Sequence, residues 1–112
     1  MTDDDKKEIY SKFKKAVNMT AFQIESFLKT KESKDVGQIL PGETESIGRK
    51  SGRRIIKILL KQKSKLTDDD YTHMNKVISY VARHLAQGGP ENNKKESKWR
   101  YSLMNWGHDP LK

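Results

Sequence analysis

Apolar residues recur every three to four positions along most of the chain, and no stretch sustains the period-two alternation of a half-buried strand. Ile9, Tyr10, Phe13, Ala16 and Val17 form a first stripe at i, i+1, i+4, i+7 and i+8. Thr2 caps that helix, and Asp3, Asp4 and Asp5 fill a first turn where the helix dipole favours acids. Asn18 closes it. Thr20 opens a second helix, with Gln23 in the capping-box position and Ile24, Phe27 and Leu28 as its apolar face. From Lys31 to Lys50 the periodicity fails, and Gly37, Pro41, Gly42 and Gly48 predict a loop of roughly twenty residues. Ser51 is the predicted cap of a third helix, with Ile55, Ile56, Leu59 and Leu60 along one side. Thr67 caps a fourth, whose stripe of Tyr71, Met74, Val77, Ile78, Val81, Ala82 and Leu85 stops at Gly88, Gly89 and Pro90. After a polar linker, Ser97 starts a short helix that runs through Trp106 and ends at Gly107. The expectation is a single all-α domain over residues 1–112, a compact bundle of four main helices plus a short C-terminal one. It has a flexible loop at about 31–50, a polar linker at about 88–97, and one core including Phe13, Phe27, Ile55, Leu59, Ile78 and Val81.

Composition narrows this picture. With 33% hydrophobic and 34% charged residues in 112, the core must be thin. The absence of cysteine excludes disulfides, thiolate catalysis and cysteine-ligated zinc. No apolar run approaches the roughly 18 residues of a membrane span, and MTDDDKKE is unlike a signal peptide, so a cytoplasmic protein is expected, nucleoid-associated if it binds DNA.

Charge changes the picture more. The stretch GRKSGRRIIKILLKQKSK at residues 48–65 holds eight lysines and arginines and no acid. Outside it the remaining basic residues equal the 15 acidic ones, so the whole +8 resides there. A helix built only for solubility mixes signs to gain i,i+4 support, whereas a confined excess attracts a polyanion. At 100° per residue Lys50, Arg53, Arg54, Lys57 and Lys61 share an arc of about 100°, opposite the apolar side. Arg49 precedes them, and Ser51 and Gly52 in a first helical turn would offer free N–H groups and room for a phosphate oxygen. The predicted nucleic-acid contacts are therefore Arg49, Lys50, Ser51, Gly52, Arg53, Arg54, Lys57 and Lys61, directed at phosphate more than at bases.

The other chemistry-bearing residues point elsewhere. His73, His84 and His108 lack a histidine or cysteine at ligand spacing, and the Asp69–His73 relation at i,i+4 is that of a cap or ion pair, so no metal is expected. Tyr80 and His84 lie one turn apart on the flank of the core stripe, the placement of surface packing. No triad, nucleotide loop or cofactor motif is present, and neither an enzyme nor a cofactor is expected. Trp99, Leu103 and Trp106 share a helical face, which reads as a lid completing the core. The same aromatics, Trp99, Tyr101 and Trp106, are the epitope of the alternative function, a module docking an acidic protein partner.

The segments AVNMTAFQIESFL, ESIGRKSGRRIIKILLKQK, TDDDYTHMNKVISYVARHLAQ and WRYSLMNWGHDPLK together resemble the DUF3140 family, short proteins often labelled DNA-binding. The resemblance implies little about activity and supplies no catalytic or binding residue. The leading expectation is thus a small basic protein that contacts the phosphate backbone of duplex DNA, largely tolerant of sequence, through the 49–61 helix.

Overall fold

The computed structural model describes all 112 residues as helices and turns: α1 (Asp3–Ala16), α2 (Ala21–Leu28), α3 (Lys31–Lys34), α4 (Ile47–Leu60), α5 (Asp68–Ala86) and α6 (Lys98–Asn105). Short 3-10 turns at Lys63–Lys65 and Lys94–Glu96 precede α5 and α6. Thr2, Thr20 and Thr67 each close a reciprocal capping box, with Asp5, Gln23 and Asp70 as the returning side chains, and Ser97 caps α6.

The loop between α2 and α4 departs from the expectation. Thr30 caps the single turn of α3, and α4 begins at Ile47 because the cap is Ser46, whose Oγ accepts from the Arg49 N–H at 3.2 Å. Ser51 therefore lies a full turn inside the helix, and the stretch without helix shrinks to residues 35–46. Gly48 and Gly52, which look like helix breakers, are helical for a packing reason. A Cβ at Gly52 would come within 2.6 Å of the Asn105 carbonyl oxygen, and one at Gly48 within 3.0 Å of the Trp106 indole nitrogen. The two glycines let α6 approach α4 closely.

α1 packs on α5, α2 packs on α4, and α6 touches α2, α3, α4 and α5. The C-terminal helix is thus central to the fold. Leu103 is wholly buried and Trp106 is 8% exposed, so this segment contributes to the core. Trp99 and Tyr101 pack against the same core from its edge, Trp99 donating its indole N–H to the His84 carbonyl at 2.7 Å. Of the expected core residues Phe13, Phe27, Ile55 and Val81 are buried, and Leu59 and Ile78 are partly buried against them. On α4 the inward side also includes Ile58, while Leu60 is 73% exposed, so the apolar face is turned relative to the expectation. The tail after α6 is pinned to the α1–α2 junction. Asn18 exchanges hydrogen bonds with the Asp109 backbone at 2.9 and 2.7 Å, and His108 Nδ1 donates to the Ala16 carbonyl at 2.7 Å. Asp109 also takes the Arg100 guanidinium in two bonds of 3.0 and 2.9 Å. No helix is long and apolar enough to cross a membrane.

Candidate nucleic-acid interface

The earlier start of α4 redistributes the basic stretch. Arg49, in the first turn, points inward with its side chain 9% exposed. Its Nη1 donates to the Leu28 carbonyl at 2.5 Å and to Ser33 Oγ at 2.8 Å, and Ser33 Oγ donates in turn to Asn105 Oδ1 at 2.5 Å. Asn105 returns a bond to the Ser33 carbonyl at 3.1 Å, and Arg49 Nη2 lies 3.3 Å from Glu45. Arg49 is thus the internal bracket of α2, α3, α4 and α6, and its guanidinium is spent on protein acceptors.

Ser51 and Gly52 are also removed from the phosphate role first assigned to them. Both are buried, and neither lies in the first turn, so their backbone N–H groups are committed to the helix. Ser51 Oγ meets His73 Nε2 at 2.9 Å and ties α4 to α5. Burial, followed by the nearby Arg54 and Lys76 charges, lowers the His73 pKa to about 4, so the imidazole is neutral at pH 7.

The outward cations have found acids that the helix itself lacks. Arg53 grips Glu45 in a fork, with Nε at 3.1 and 3.0 Å from the two oxygens and Nη2 at 2.6 Å from Oε2. That fork holds the Glu45 carboxyl below its ordinary pKa. Lys50 pairs with Glu43. Arg54 and Lys61 converge on Asp70, at 3.0 and 2.6 Å. Burial alone would raise the Asp70 pKa, but the bonds from Lys61, the Thr67 backbone and Arg54 outweigh it and hold the carboxyl far below the usual range. Lys57 makes no ion pair, and neither do Lys76 and Arg83 on α5.

Two adjoining concavities gather these cations. The smaller, of about 480 Å³, is lined by Lys50, Arg53, Arg54, Lys57 and Lys76 around Leu40, Ile47 and His73. The larger, of about 1040 Å³, runs between α5 and α6 past Lys76, Arg83, Tyr80 and Trp106. Ile47, Lys76 and Trp106 belong to both, and no carboxylate lines either. Lys61 lines neither, being drawn to Asp70 at the far end of α4. An aromatic column runs beneath. His73 stacks on Trp106 with centroids 6.3 Å apart, Trp106 on Tyr80 at 4.2 Å and Tyr80 on His84 at 4.9 Å.

Lys76 and Arg83 were missed because the charge count looked along one helix. They lie seven residues apart, two turns on one face of α5, and that spacing on the polar side of an amphipathic helix was the available signal.

A family model described as a protein of unknown function, DUF3140, matches residues 12–104. The chain belongs to the DUF3140 family. That match covers α4 and α5 whole and α6 as far as Met104, while the description carries no statement about DNA. No curated protein and no solved structure matches this DUF3140 member. Its site must therefore be argued from its own geometry.

Proposed function

We propose that this DUF3140 protein binds DNA through its phosphate backbone, with little dependence on sequence, using the surface formed jointly by α4 and α5. The observation that supports the reading is the acid-free pair of concavities edged by Lys50, Arg53, Arg54, Lys57, Lys76 and Arg83. Cations held around a recess by two packed helices produce a focused potential, which attracts a polyanion more strongly than the same charges scattered on a convex surface. Lys57, Lys76 and Arg83 meet phosphate at no cost in broken ion pairs, whereas Lys50, Arg53 and Arg54 must first exchange Glu43, Glu45 and Asp70.

This division sets the expected salt dependence. With three phosphates neutralised, counterion release gives a slope of log affinity against log salt of about −3, so binding weakens roughly 40-fold from about 50 to 200 mM salt. Replacing Lys57 and Lys76 together by glutamine should reduce the slope by about two units. The control is Lys14→Gln with Lys15→Gln, which removes the same charge from the exposed side of α1. Equal effects of the two double variants in a fluorescence titration would sink the localised surface and leave only diffuse attraction.

The second reading is an acidic protein partner, favoured by one observation. Leu40 and Ile47 are 41% and 38% exposed beside the cations, the pairing that suits an acidic segment with an apolar anchor. Absence of any DNA shift at low salt, with a stoichiometric protein retained after nuclease treatment, would select it.

A further inference from the structure

We propose that the larger cleft receives unpaired nucleobases, so that the substrate class of the surface is single-stranded DNA in preference to duplex. The inference rests on the backbone reading above and adds to it a second kind of contact.

Three features of the cleft carry the argument. Its walls are divided by chemistry along one helix. Thr72, Asn75 and Ser79 rise on successive turns of α5 as uncharged donors and acceptors, and Lys76 and Arg83 run beside them. The two cations are about 10 Å apart along the axis at 1.5 Å per residue, so they meet separate phosphates and define a track. A strand laid on that track places its sugars toward the amide and hydroxyl row, where base edges find partners of both polarities.

The second feature is shape. The cleft is about 1040 Å³, at the upper end of the range of pockets that enclose drug-sized ligands, and is roomy enough for an unstacked base with its sugar. Duplex DNA has nothing to put there, because its bases are stacked and turned inward and only phosphate and sugar project. A single strand turns its bases out freely.

The third feature is the floor. Tyr80 lies nearly parallel to both Trp106 and His84, and Trp106 nearly parallel to both Tyr80 and His73. Tyr80 and Trp106 line the cleft with ring faces engaged in these stacks, which turns ring edges toward it. Aromatic edges are the positive part of the ring quadrupole, and they favour the face of an incoming base in the T-shaped arrangement. No carboxylate faces the space to repel the strand.

The test compares three probes of about 12 nucleotides at one low salt concentration: a mixed-sequence single strand, the same strand with abasic sites throughout, and the matched duplex. Fluorescence anisotropy should rank the intact strand at least about 10-fold tighter than the other two. Ser79 is solvent-exposed, so Ser79→Tyr narrows the cleft without disturbing the core. It should weaken the intact strand about 10-fold and leave the abasic strand and the duplex unchanged. Asn75→Ala, which adds no bulk, should shift the same probe in the same direction. Lys57→Gln with Lys76→Gln should weaken all three probes. An abasic strand that binds as well as the intact one overturns the base cleft and leaves backbone binding standing. Failure of every probe to bind removes both.

Discussion

Arg49 shows how much a single residue's direction matters in a charged stretch. Its guanidinium satisfies the Leu28 carbonyl and Ser33 Oγ inside the protein, where water cannot replace it. Arg49→Met keeps most of the volume and leaves these two acceptors short of a donor, while Glu45 keeps the Arg53 fork. At about 1–3 kcal/mol for each buried group left unpaired, the variant should lose about 3 kcal/mol in urea unfolding while its DNA salt slope stays unchanged. Full stability with weakened binding would instead make Arg49 a phosphate contact. The sequence held a clue to this division. Seven residues on a helix return to within about 20°, which sets Arg49 beside Ile56 at the margin of the apolar side and Leu60 beside Arg53 on the cationic side. Arg49 is buried, and Leu60 is exposed. Charge counting treats all eight cations alike, because it carries no information about what neighbouring elements will ask of each one.

At the scale of the elements, the helices whose caps are threonine or serine next to a periodic stripe were legible from sequence, as Thr2, Thr20, Thr67 and Ser97 show. The start of α4 was not. Gly48 and Gly52 weaken a helix locally, and the close approach of α6, with Leu28 of α2 beside Gly52, explains why they are there. α3 was invisible for another reason: four residues, KESK, are too few to display a period. The glycine pair gives a test of this packing. By propensity alone, alanine at an internal helical glycine gains about 1 kcal/mol. At Gly52 the new Cβ meets a backbone oxygen at 2.6 Å, which cannot swing aside, so Gly52→Ala should lower the melting temperature despite the propensity gain. Gly48→Ala meets the Trp106 indole at 3.0 Å, a longer contact than the 2.6 Å at Gly52 and one with a side chain instead of backbone, and should cost less. Equal or raised stability in Gly52→Ala would mean that α6 does not hold α4 at this distance.

At the scale of the molecule, a charge excess that looks linear in the sequence becomes a question of what folds against what. Glu43, Glu45 and Asp70 return to α4 and neutralise part of it, while Lys76 and Arg83 extend its field onto α5. The fold that builds this surface should carry a defined acid sensitivity. His73 has a folded pKa of about 4 against an ordinary 6.5, so between those values the unfolded chain binds more protons than the native one. Stability is then fully present above about pH 6.5 and falls as the pH drops toward 4; His84, also lowered by burial, acts in the same sense. The carboxylates take over below. Asp70 and Asp109 are held below their ordinary values by ion pairs, so their contribution is complete above about pH 5 and is lost as the pH falls further. Melting temperatures measured from pH 7 to pH 3 should therefore decline in two legs. His73→Gln, which retains a polar partner for Ser51, should flatten the upper leg, and Asp70→Asn should lower the plateau and shrink the lower one. A melting temperature constant from pH 6.5 to 4.5 would show that His73 is free to take its proton in the native state. The Ser51–His73 tie would then be no part of what joins α4 to α5, the two helices that share the cations.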